Sequence, residues 1–353
     1  MIPVSRLARI ALALVAIGMP TSAVLAQANG QGDGAPKRTR SGGRHGDLPP
    51  AVHEARRLLF RMVRADRTVS YAGREVVVAV GRTLEMQVRF DPKRGMRRES
   101  VGPTGDLVVD DTKRSWFVSP RSRSVFESES ALASLLSRWR DLLRTPFAQL
   151  RTERQGEDTV AGRTADILLV APAEGTPGPS RRFWIDKETG LRLRMEEKDP
   201  DGRIVVSAYF MNVNLDPVLS DADFAPPPVP SGYKVVTNPR RSFPTFDEAS
   251  KAGFTPPTAE WLPAGYRPKQ VDVRDNGRWV SAHWGNGLTV VTLTAMKGPS
   301  PGGMPELADG APPQAKSFPR GGRGLVWRRG ETRFILMGPL PDDTLKRIAE
   351  SVR

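Results

Sequence analysis

The chain has 353 residues and no cysteine, so disulfide staples, a lipid-modified cysteine, cysteine-ligated zinc and thiol nucleophiles are all excluded, and stability must come from apolar cores. With 53 basic against 39 acidic residues the formal net charge is +14, which suits anionic partners. A length of this order predicts two cores, since domains usually hold roughly 100–200 residues.

Arg6 and Arg9 precede an apolar run from Ile10 to Met19 that is short for a bilayer span, and Val24-Leu25-Ala26 closes it with a cleavable site. Residues 1–26 therefore read as a signal peptide, with an uncleaved anchor as the alternative. The mature chain is expected to start at Gln27 and to work outside the cytoplasm. There its charge meets lipid head groups, envelope polymers and acidic proteins rather than nucleic acid. Residues 27–50 hold Gly, Lys, Arg, Ser and Asp with almost nothing apolar, the composition of a flexible basic tether.

From Ala51 to Asp66, Val52, Ala55, Leu59, Met62 and Val63 fall on one helical stripe. The period then changes to two, which predicts short strands over 75–80, 83–90, 96–100, 106–110, 114–118 and 123–127, joined by links too short for parallel crossovers. A second helix is predicted over 131–143, with Leu132, Leu135, Leu136, Trp139, Leu142 and Leu143 at buried spacing and Pro146 near its end. Strands follow over 151–157, 164–170, 181–186, 191–198 and 204–213, with Lys187-Glu188-Thr189-Gly190 and Asp199-Pro200-Asp201-Gly202 as turns.

This order defines an α+β first domain over residues 51–225, a curved antiparallel sheet wrapped on helices. Prolines crowd residues 226–244, which read as a semi-rigid linker. A smaller domain, 245–353, is predicted to hold a short helix at 246–252 and strands at 266–273, 279–284, 288–295, 325–327 and 332–337. Asn286-Gly287 marks a hairpin. The Gly- and Pro-rich stretch 298–323 reads as a mobile loop. Asp342 and Asp343 open a final helix whose Leu345, Ile348, Ala349 and Val352 pack on the sheet.

Little in the chain suits catalysis. His45, His53 and His283 are the three histidines, too scattered for a metal site. There is no Gly-x-Ser-x-Gly elbow, and Gly321-Gly322-Arg323-Gly324 lacks the Lys-Ser/Thr ending of a phosphate loop. The acidic pairs Asp110-Asp111, Glu196-Glu197 and Asp342-Asp343 fit turns, edges and a helix start better than acid and base groups. A binding module is expected rather than an enzyme, with no cofactor and no metal. Aromatic residues gather around the second helix, and they either fill a core or border an apolar hollow for acyl chains. The ligand-binding candidates on the second reading are Trp116, Phe126, Leu136, Trp139, Leu143 and Trp184.

Three runs resemble one family. Arg182-Phe183-Trp184-Ile185-Asp186-Lys187-Glu188-Thr189-Gly190-Leu191-Arg192-Leu193-Arg194 is similar to the late hairpin of RseB/MucB periplasmic regulators. Trp261-Leu262-Pro263-Ala264-Gly265-Tyr266 resembles the opening of their second domain, and the segment from Phe334 to Val352 resembles their closing strand and helix. The resemblance implies a LolA-like half-open antiparallel β-barrel wrapped on helices, plus a smaller C-terminal antiparallel sheet packed with a terminal helix. It implies a periplasmic protein that binds and shields a membrane anti-sigma factor and senses lipid or lipopolysaccharide fragments. Arg328, Arg329 and Arg333 are the partner-binding candidates. A LolA-like lipid or lipoprotein carrier is the alternative function, and homo-oligomers are compatible with either. The long basic tether and the 298–323 stretch depart from the family pattern.

Overall fold

The computed structural model describes residues 49–79, 81–132, 142–143, 145, 149–237, 240–298, 307–318 and 322–353. The expected signal peptide, nearly all of the tether, and Leu135, Leu136 and Trp139 lie outside these residues. Helix α1 (Pro50–Ala65) starts on a proline, where no amide donor is needed, and buries Ala55, Leu58, Leu59, Met62 and Val63 on one face.

Two antiparallel meanders follow. The first is β1 (Tyr71–Ala79), β2 (Arg82–Asp91), β3 (Gly95–Ser100), β4 (Leu107–Asp110), β5 (Arg114–Ser119) and β6 (Ser124–Glu129). The second is β7 (Leu150–Val160), β8 (Arg163–Pro172), β9 (Ser180–Asp186), β10 (Arg192–Lys198) and β11 (Ile204–Asn214). Pairing of β1 with β11 joins them, and β12 (Lys234–Thr237) adds to β6 in parallel. The result is an open twelve-stranded sheet with β12 at one edge and β7 at the other. Its inner face and α1 share one apolar cluster that includes Met62, Val88, Phe117, Leu168 and Phe183.

The turn between β9 and β10 shows how the sheet is tied to the helix. Asp186 Oδ1 accepts from the Glu188 and Thr189 amides at 2.9 and 2.8 Å. Gly190, at φ +81°, passes so close to α1 that a Cβ there would lie 3.0 Å from the Arg61 carbonyl oxygen. Only glycine adopts that angle without strain and leaves that space.

The second module is a seven-stranded sheet. It comprises β13 (Arg240–Phe243), β14 (Arg267–Arg274), β15 (Trp279–Gly285), β16 (Val290–Lys297), β17 (Gln314–Phe318), β18 (Gly322–Arg329) and β19 (Thr332–Met337), in the order β13-β14-β15-β16-β19-β18-β17. Helix α2 (Phe246–Lys251) is capped by Thr245, whose hydroxyl accepts from the Glu248 amide. Helix α3 (Asp342–Glu350) lays Leu345, Ile348 and Ala349 on the sheet with Trp327 and Leu336.

Two expectations from the sequence are corrected. The segment 226–244 is more than a linker, because it lends β12 to the first sheet and β13 to the second. The prolines Pro230 and Pro244 stand outside those strands, where the missing amide costs no ladder bond. The stretch 298–323 contains β17, an edge strand paired to β18, so part of it is sheet rather than loop.

Candidate functional site

The inner face of the first sheet follows from register. Phe117 pairs with Phe126 across β5 and β6, and their rings stack with centroids 5.9 Å apart. Val108 pairs with Phe117 and joins the same cluster, against which Phe126 and Leu143 pack. Successive side chains on a strand point to opposite faces, so Trp116, next to Phe117, stands on the other side, paired with Glu127. Trp184, between the fully buried Phe183 and Ile185, is 4% exposed and belongs to the same apolar cluster as they do. Arg194 lies 4.4 Å above its ring, and its Nε1 donates to Asp158 Oδ2 at 2.9 Å.

The six ligand-binding candidates therefore do not form one lining. Phe126 and Leu143 pack on the apolar cluster to which Trp184 belongs, Trp116 stands on the opposite face of its strand, and Leu136 and Trp139 lie outside the described residues. The reason for Trp116 is the two-residue period, which turns it away from Phe117.

The inner face also carries charge that the sequence reading missed. Arg98 on β3 pairs in register with Val88 and Val108, both core residues, and is 2% exposed. Its Nη2 lies 3.1 Å from Glu75 Oε2 on β1, and Glu75 is 5% exposed. Burial pushes the Glu75 carboxyl up, against the pull of Arg98 and Arg192. Asp66, at the end of α1, is raised by burial in the same way. The available signal was an arginine at an inward position of an alternating strand.

The two modules meet at several points. Leu288, from the β15–β16 hairpin, is 2% exposed and belongs to the apolar cluster of the first module. The Thr145 hydroxyl donates to the Asn286 carbonyl at 3.4 Å. Arg240 Nη2 reaches Glu129 Oε2 at 3.3 Å, and Arg323 Nη2 reaches Asp201 Oδ2 at 2.7 Å.

In the second module Arg328 and Arg333 face each other across β18 and β19. Arg329 is turned to the opposite face and donates to the Val352 carbonyl beyond α3. The three partner-binding candidates thus divide two to one. Beneath the surface, His283 bridges Asp272 Oδ2 at 3.1 Å and Thr292 Oγ1 at 3.0 Å, and Ser242 donates to Asp272 Oδ1 at 2.8 Å. Burial would raise the Asp272 carboxyl, but His283, Arg240 and Ser242 outweigh it and hold the group below its ordinary range. A depressed carboxylate stabilises the fold above its unfolded value of about 3.9 and loses that contribution as pH falls through its folded value. Urea midpoints at pH 7 and pH 3.5 should therefore show a smaller acid loss for Asp272→Asn than for the parent, from a lower stability at pH 7.

A helix-wrapped twelve-stranded sheet and a helix-backed seven-stranded sheet, fastened by a buried hairpin tip, define a two-module protein whose described residues hold no cluster of metal ligands. No described helix is long and apolar enough to cross a membrane. Residues 54–228 match the family described as MucB/RseB N-terminal domain, and the chain belongs to the MucB/RseB family. It is 26% identical over 265 residues to the Sigma-E factor regulatory protein RseB of Escherichia coli K12, covering 71% of this chain and 74% of that one. The same figures hold for RseB of Shigella flexneri. The fold is similar to that in the Pseudomonas aeruginosa MucA/MucB complex, with 18% identity, a TM-score of 0.58, and 85% of this chain and 98% of the other covered. MucB in complex with MucA(peri) gives a TM-score of 0.55 at 20% identity, with the same coverage.

Proposed function

We propose that this chain is a periplasmic regulator of an envelope-stress sigma factor, which binds and shields the periplasmic segment of a membrane anti-sigma factor. The observation that carries the reading is the retention of both modules: sigma-E factor regulatory proteins align over 71% of the chain, and a MucA-bound fold covers 85% of it. A carrier of lipidated cargo needs only the first module. The basic surface fits an acidic or phosphate-bearing partner, since arginine forks match carboxylate and phosphate geometry.

Lipid or lipopolysaccharide fragments are the proposed signal, with the inner apolar face of the first sheet as their site. Phe126, Leu143 and Trp184 are the described ligand-binding candidates in contact with its apolar cluster. Arg328 and Arg333, side by side on one face, form the proposed partner contact. Pull-down with the periplasmic segment of the source organism's membrane anti-sigma factor is expected to recover the chain. The double variant Arg328→Glu, Arg333→Glu is expected to weaken that binding roughly tenfold or more, chiefly through slower association. Recovery of nothing by the parent chain would remove the regulator reading. Transfer of a lipoprotein from vesicles into solution, with no anti-sigma binding, would favour the carrier.

A further inference from the structure

We propose that Leu288 is a removable plug: the second module inserts it where an acyl chain would enter the first module, so docking of the hairpin and occupancy by lipid exclude one another. This inference rests on the lipid-sensing reading above. Among the described residues, Leu288 is the one side chain of the second module in the apolar cluster of the first.

The hairpin tip is held by bonds within the second module. Asn286 Oδ1 accepts from the Leu288 amide at 3.1 Å and the Thr289 amide at 2.9 Å, an Asx turn that holds Leu288 outward from its own sheet. The Thr289 hydroxyl is in turn bonded to Tyr266. Docking is close. Gly287, at φ +89°, faces Thr145 so tightly that a Cβ would lie 1.7 Å from its hydroxyl oxygen. The other contacts between the modules are of a different kind. Arg323 and Asp201 are each about a third or more exposed, a surface pair that exchanges for water at little cost, and Arg240, though nearly buried, keeps Asp272 of its own module as a partner if it leaves the exposed Glu129.

The apolar anchor of the junction is therefore one leucine, and a saturated chain offers the same contacts to the first module. Linkage makes the effect reciprocal: a partner that grips both modules holds the plug in and weakens lipid binding, and lipid weakens that partner by the same factor. This supplies a physical route from lipid occupancy to partner release.

The test uses the full chain and a single-chain anionic lipid, myristoyl lysophosphatidylglycerol, below its micelle concentration, followed by titration calorimetry. Leu288→Ala should bind it about tenfold tighter than the parent, since the apparent Kd is the intrinsic Kd divided by the fraction of molecules with the site open. Leu293→Ala, an equal truncation in the second module's own core, should bind as the parent does. Gly287→Ala, which leaves Leu288 in place but collides with Thr145, should also tighten binding, and it serves if Leu288→Ala fails to fold. Small-angle scattering should show the parent expanding when the lipid is added and Leu288→Ala already expanded without it. Equal lipid affinity in the parent, Leu288→Ala and Gly287→Ala would overturn the plug and leave lipid sensing intact. No lipid binding by any of them would overturn lipid sensing, and the plug with it.

Discussion

Replacing Arg98 by methionine is expected to cost about 3–5 kcal/mol, the usual penalty for removing one partner of a buried ion pair. Methionine fills much the same volume, so the loss falls on Glu75, which is left charged among Val77, Val88 and Val108. Adding Glu75→Gln should recover a large part of it, because a neutral amide carries no unpaired charge. The pH dependence separates this account from a simple packing defect. Burial already raises the Glu75 carboxyl, and a raised carboxyl favours the fold below its unfolded value of about 4.3 and loses that advantage as pH rises through its folded value. The gap between parent and Arg98→Met should therefore be small near pH 5 and wide near pH 8. Urea unfolding at the two values measures it. A gap that does not change with pH would place the cost in packing rather than in the stranded carboxylate.

The second large effect is expected at Asp110, which has no exposed surface. Its Oδ1 accepts from the Thr112 amide at 2.9 Å and the Ser130 hydroxyl at 2.8 Å; its Oδ2 accepts from the Leu132 amide at 3.1 Å and the Ser115 hydroxyl. One carboxylate thus closes the β4–β5 turn and ties the chain after β6 back onto the sheet. Alanine would leave four donors without an acceptor. At about 1–3 kcal/mol for each buried group left unsatisfied, and with water able to reach some of them, the net loss should exceed about 4 kcal/mol. Asparagine keeps one acceptor oxygen and should lose about half as much. Thermal unfolding of the two variants against the parent gives the comparison. An Asp110→Ala change costing under ~1 kcal/mol would mean that the segment from Ser130 onward is held by something else.

Asp110 also shows what kind of information each level holds. In the sequence, Asp110-Asp111 reads as a turn pair, and both carboxylates accept from amides of the β4–β5 turn, because Asp before a short link favours side-chain to backbone bonds. Its partners Ser130 and Leu132 are about twenty residues further on, beyond any local pattern. The strands themselves were legible for the same local reason. Alternation from Val69 onward, broken by Gly, Pro and Asp, marks β1 to β11 to within a few residues, and the stripes from Ala55 to Val63 and from Leu345 to Ala349 mark α1 and α3. Links that short allow only antiparallel neighbours.

Proximity in sequence did not put every aromatic on one face. Trp116 is next to Phe117, but a strand sends neighbours to opposite faces, so Trp116 pairs with Glu127 while Phe117 stacks on Phe126. Periodicity also could not reveal β12 and β13, where extended, proline-flanked chain becomes sheet only because two open edges are there to receive it. By itself the sequence determined the elements, the two-module order and the family, since these depend on local period, turn chemistry and motif. The partners of Arg98, Asp110 and Leu288 depend on residues roughly 20 to 140 positions away, and contacts at that distance are chosen by burial and register once the sheets have formed. Only the tertiary structure decided those.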